Sequence, residues 1–91
     1  MNLTDRIEIP LQVMARQVGN ETVILDLASG TYYGLDAVGA RIWQLMVEGC
    51  TLRKVCESLL TEYEVTSEAI EVDVLALAQT LVDKKLVGIA R

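Results

Sequence analysis

Apolar and polar residues alternate along the early part of the chain, and from Asp36 onward the apolar residues recur at helical spacing. Leu11 to Val18 (LQVMARQV) alternates imperfectly and predicts a first strand. Gly19-Asn20 is a turn signal. Thr22 to Leu27 (TVILDL) predicts a second strand, with Val23, Leu25 and Leu27 on one face. Ala28-Ser29-Gly30 turns the chain, and Thr31 to Leu35 (TYYGL) predicts a third strand. Thr31, Tyr33 and Leu35 share one face of that strand; Tyr32 and Gly34 share the other. Tyr33 and Leu35 match the core side assigned to Val23, Leu25 and Leu27. Tyr32 then points to the outer face or to the rim of a groove. The pattern predicts a small antiparallel meander.

Asp36 is a good N-cap for AVGARIWQLMVEG, which puts Val38, Ile42, Leu45 and Met46 on one stripe. Gly39 weakens that helix by about 1 kcal/mol of propensity, which points to close packing against a neighbour. Gly49 fits the stop. Thr51 caps a second helix, whose residues Leu52, Val55, Cys56, Leu59, Leu60 and Tyr63 predict one buried face. Thr66 or Ser67 caps a third helix running to about Lys85, and the tail LVGIAR can add a short extended segment. Residues 1–10 end at Pro10 and read as a flexible arm; residues 11–91 read as a single domain. Three strands followed by three helices predict an α+β fold, winged helix-turn-helix-like in its order.

The third helix carries two apolar groups. Ile70, Val74, Leu77 and Leu81 fall within about 60° of arc. Val72, Leu75, Val82 and Leu86 lie on nearly the opposite side, with Gln79 among them and Ala76 beside them. Asp73, Thr80 and Lys84 occupy one flank between the groups. A helix that is apolar on two sides is normally covered on two sides. The strands, a second copy, or a partner in an open groove could each cover the second. The third strand is an edge if the meander runs in chain order. It carries no proline or lysine to block pairing. A guest strand could hydrogen-bond to that edge and drop side chains into a helix-lined pocket.

Composition narrows the functions. Hydrophobic residues make up 52% of the 91, a surplus that predicts some exposed apolar surface. Thirteen acidic and eight basic residues give a net charge of −5, which argues against nucleic acid and against an anionic membrane surface. Histidine is absent, removing the commonest general base and metal ligand. There is no CxxC pair, glycine-rich phosphate loop or GxSxG elbow. Neither a catalytic residue, a metal ligand set nor a cofactor is expected. Cys50 and Cys56 read as free thiols of a cytoplasmic protein, Cys56 within a core stripe, because no signal peptide precedes them. Trp43 supplies core bulk in a chain without Phe.

Several short patterns together resemble the pyrroloquinoline quinone biosynthesis protein D (PqqD)-like family, also called RiPP recognition elements. They are Gly30, Tyr33, Leu35 and Asp36 at the hairpin end; Gly39, Ile42 and Trp43 in the first helix; Thr51, Leu52 and Val55 at the start of the second; and Asp73, Val74, Leu77, Leu86 and Val87 in and after the third. The similarity spans about residues 11–88 and looks most like the free-standing lasso-peptide biosynthesis branch. The resemblance implies a non-catalytic protein that binds the leader of a ribosomally made precursor peptide as an added strand between the third strand and third helix. It implies as partners a cysteine-protease-type leader peptidase and an asparagine-synthetase-like cyclase. Carried onto this chain, it points to Thr31, Tyr32, Tyr33 and Gly34 for the edge, and to Val72, Leu75, Ala76 and Gln79 for the helix wall. Within the family, delivery to a radical-SAM enzyme is the alternative. Outside it, the alternative is a structural or regulatory winged-helix dimer with no peptide ligand.

Overall fold

The computed structural model describes residues 1–90. In chain order the elements are β1 (Arg6–Glu8), β2 (Val13–Val18), β3 (Glu21–Asp26), β4 (Tyr32–Leu35), α1 (Ala37–Val47), α2 (Leu52–Glu62), α3 (Ser67–Asp83) and β5 (Gly88–Ala90). β2, β3 and β4 form the expected antiparallel meander, with β3 in the middle. The third strand of the sequence reading is therefore β4. The fold is α+β, a three-stranded sheet followed by three helices.

The inward face of β3 corrects the sequence reading. Thr22, Ile24 and Asp26 are buried, whereas Val23 and Leu27 are exposed and Leu25 only partly covered. Both faces of ETVILD carry apolar residues, so alternation alone does not choose between them. The turn decides. The Asp26 carboxylate accepts from the backbone N–H of Ala28 at 2.8 Å, and its carbonyl accepts from Gly30 N–H at 2.8 Å. Asp26 thus has its polar groups paired inside the hairpin and can face inward. Gly30, at φ 76°, supplies the left-handed residue this turn needs. The two tyrosines do alternate as expected: Tyr33 pairs with buried Ile24, and Tyr32 is 72% exposed on the outer face.

Residues 1–10, expected as a loose arm, carry β1, which pairs antiparallel with β5. Ile7 is buried opposite Ile89. The arm also serves α2, whose first N–H groups have no partner inside the helix. Leu52 N–H donates to the Asp5 carbonyl at 2.9 Å, and Arg53 N–H to the Leu3 carbonyl at 2.7 Å. The Thr51 hydroxyl takes the Lys54 N–H at 3.2 Å.

Each helix turns one stripe into a common core, with α1 packed against β3 and β4 and α2 against α1 and α3. Ile42, Trp43, Leu45 and Met46 of α1 meet Leu52, Val55, Cys56 and Leu59 of α2 and Ile70, Val74, Ala78 and Leu81 of α3. Burial pushes the Cys56 thiol above its ordinary pKa, as suits a core thiol. Leu60 and Tyr63, expected in the buried face of α2, are each 37% exposed because they fall at its margin and end. α1 ends in a Schellman turn: Cys50 N–H reaches the Leu45 carbonyl, Gly49 N–H the Met46 carbonyl, and Gly49 sits at φ 89°. α3 ends the same way, with Leu86 N–H on Leu81 and Lys85 N–H on Val82, but the left-handed position is held by Lys85 at φ 61°.

Candidate peptide groove

β4 is the edge of the meander, and its hydrogen-bonding parity follows from the turn. Asp26 N–H donates to the Thr31 carbonyl at 2.8 Å, so Thr31 faces β3. In an antiparallel ladder every second residue does the same. Tyr33 and Leu35 therefore also spend their backbone groups on β3. Tyr32 and Gly34 turn their N–H and C=O groups outward, to the open edge.

Beside this edge lies a cleft of about 490 Å³. Tyr33, Gly34 and Leu35 form its sheet side. Asp36, Val38, Gly39 and Ile42 close its base, and Asp73, Ala76, Leu77 and Thr80 form the helix wall. The start of α1 is fixed tightly against β4. Asp36 Oδ1 accepts from Gly39 N–H at 2.8 Å, and a Cβ at Gly39 would stand 3.3 Å from both Leu35 and Asp36. This close approach explains a glycine one turn into the helix. Just beyond the lining, Lys84 Nζ lies 5.5 Å from the centroid of the Tyr33 ring, a cation–π contact.

Of the residues expected at the site, Tyr33, Gly34 and Ala76 line this cleft. Tyr32 belongs to the open edge but lies outside the cleft lining, and Thr31 precedes β4 with its carbonyl turned to β3, so it is not on that edge. Val72, Leu75 and Gln79 stand off it. Val72 is 66% exposed, and Leu75 packs partly against the core. The helix wall differs from the expected one because the second apolar group of α3 is not its cleft-facing side. The wall is the stripe Asp73, Ala76, Leu77 and Thr80, at i, i+3, i+4 and i+7 spacing. It flanks the core stripe on the side toward β4. The polar positions Asp73 and Thr80 hide that stripe from a reading based on apolar periodicity. The mixed lining suits a ligand that brings both backbone and side-chain polarity.

The geometry has counterparts. The family model of Coenzyme PQQ synthesis protein D (PqqD) matches residues 21–87. The solved structure of TbiB1 in complex with the TbiA(beta) leader peptide is similar at TM-score 0.85 and 36% identity, over 92% of this chain and 99% of that chain. That of lasso peptide synthetase B1 complexed with the leader peptide is similar at TM-score 0.84 and 28% identity, over 91% of this chain and 98% of that chain. A search of curated proteins finds no match. A family pattern that runs from β3 to the residues after α3, on the same fold, identifies the chain as a member of the PqqD family.

Proposed function

We propose that this protein captures the leader of a ribosomally made precursor peptide, of the lasso class, as a strand added to β4. The observation that carries the reading is the open edge itself: Tyr32 and Gly34 present unpaired backbone groups beside a cleft walled by α3. A guest strand would exchange main-chain hydrogen bonds with those two residues. Its side chains opposite Tyr33 and Leu35 share their face of the sheet and enter the cleft. The likeness to two leader-bound proteins supports the same reading.

The role is binding without chemistry. The polar cleft residues Asp36, Asp73 and Thr80 form no nucleophile and base pair. The captured leader is handed in the cytoplasm to a cysteine-protease-type peptidase and an asparagine-synthetase-like cyclase. Titration calorimetry with the cognate leader tests the capture step. Binding is expected in the nanomolar to micromolar range, about −8 to −12 kcal/mol. No heat at tens of micromolar leader sinks the reading. Delivery is tested by the rate of leader removal by the peptidase, which should rise when this protein is added.

A further inference from the structure

The cleft holds carboxylates in its lining and has an ammonium just beyond it. Asp36 and Asp73 both line it where β4 runs into α1. Lys84, one turn past Thr80 on α3, stands outside the lining and over the Tyr33 ring. α3 rises 1.5 Å per residue, so Asp73 and Lys84 are separated by about 16 Å along the helix. Between them the lining is apolar at Val38, Ile42 and Leu77. Among the described residues the ion pairs are Arg41–Glu62 and Lys54–Glu57, and neither Asp73 nor Lys84 has an ion-pair partner among them. Asp36 Oδ1 accepts from Gly39 N–H, and its Oδ2 takes no hydrogen bond among the described residues.

We propose that this polarity selects the guest strand by its charge order: a basic side chain toward Asp36 and Asp73, an acidic one toward Lys84, and apolar side chains at alternate positions between. The proposal rests on the strand-capture reading above and narrows its ligand class. Antiparallel pairing with β4 is the more stable arrangement. It starts the guest at the Asp36 end, so the basic residue precedes the acidic one. A strand advances about 3.4 Å per residue, which sets the two charges about four to six positions apart. All three charged side chains are exposed, so each pair contributes modestly and the order of the two together sets the preference.

The test is a selection of random dodecapeptides on two proteins: the natural chain and the double variant Asp73→Lys/Lys84→Glu. The double variant keeps the net charge, so a change of preference cannot come from overall attraction. Both side chains are exposed and neither makes a side-chain hydrogen bond among the described residues; Lys84 gives up only its contact with the Tyr33 ring. The natural chain should enrich basic-before-acidic peptides, and the variant acidic-before-basic ones. A synthetic winner should bind the natural chain about fivefold more tightly than its charge-swapped counterpart, with the preference inverted on the variant. Should the double variant unfold, Asp73→Asn and Lys84→Gln, titrated separately with the same two peptides, should each narrow the gap. Enriched peptides without a charge order, or the same order on both folded proteins, overturn the proposal and leave strand capture standing. Failure to enrich any peptide, together with no binding of the cognate leader, removes both.

Discussion

Ile24 and Tyr33 face each other across β3 and β4, yet Ile24 has no exposed surface while Tyr33 reaches the cleft and lies under the Lys84 ammonium. The pair marks where core ends and groove begins. It also ranks three substitutions. Ile24→Ala should cost about 3–4 kcal/mol, because it leaves a cavity among packed side chains. Tyr33→Ala should cost less, about 2 kcal/mol, since part of the ring is already solvated. Tyr32→Ala should stay within about 0.5 kcal/mol. Urea denaturation of the three variants checks the order. A larger loss at Tyr32 than at Tyr33 would mean the strand register is off by one.

Gly34 is the position where edge pairing can be removed with least harm to the fold. Its N–H faces away from β3, and a Cβ there meets nothing within 4 Å. Gly34→Pro deletes the outward donor while keeping the ladder to β3 intact. Leader affinity should fall at least about tenfold, the scale of one hydrogen bond to a strand with its partner left unpaired. Gly34→Ala should bind as the natural chain does. Calorimetry on both, after a melting curve, separates backbone pairing from packing.

The helix wall gives a second pair of opposed expectations. Ala76 lines the cleft and is itself exposed, so a long side chain there fills the groove without entering the core. Ala76→Arg should weaken leader binding about tenfold or more and leave the melting temperature nearly unchanged. Val72→Asp, one turn earlier on the adjoining flank and outside the cleft lining, should leave both unchanged. If Val72→Asp abolishes binding and Ala76→Arg does not, the guest lies against the adjoining flank of α3 that carries Val72, Leu75 and Gln79.

These tests follow the places where sequence reading succeeded and failed. The caps Asp36, Thr51 and Thr66 and the stop at Gly49 are local signals, and each helix starts or ends where they stand. Tyr33 and Leu35 do face inward, but the match to Val23, Leu25 and Leu27 that placed them there fails: their cross-strand partners are Ile24 and Thr22, on the other face of β3. The face of β3 was not legible, because burial of Asp26 depends on hydrogen bonds inside the turn. β1 was hidden for a different reason. Its partner β5 lies at the opposite end of the chain, and no local pattern reports a pairing that distant. The helix side of the cleft escaped because apolar periodicity finds core stripes, whereas here Asp73 and Thr80 bracket Ala76 and Leu77.

Lys85 stores a removable strain. It holds φ 61° at the end of α3, a left-handed conformation that costs a residue with a Cβ about 1–2 kcal/mol. Its conformation is enforced by Leu86, which is fully buried and donates its N–H to Leu81. Lys85→Gly should therefore raise stability, by about 0.5–1 kcal/mol after the extra chain entropy of glycine in the unfolded state is subtracted. Guanidinium titration checks this. An unchanged or lowered midpoint would show that the Lys85 side chain contributes something that offsets the backbone strain.

Arg41 and Glu62 tie the middle of α1 to the end of α2. Arg41 Nε and one terminal nitrogen each donate to a different oxygen of the Glu62 carboxylate at 2.8 Å, a two-pronged arrangement. The hydrogen bonds from Arg41 hold the Glu62 carboxyl below its ordinary pKa. A carboxyl depressed in the folded state adds stability that is fully present above its unfolded pKa, about 4.3, and is lost as pH falls through the folded value. The natural chain should therefore exceed Glu62→Gln in urea midpoint at pH 6 and lose that advantage steadily below about pH 4.3. Both side chains are about one-third exposed, so the difference should also shrink in high salt. A gap between the two proteins that is the same at pH 6 and at pH 3 would show that the charge of Glu62 plays no part, and that the fork joins α1 to α2 by packing alone.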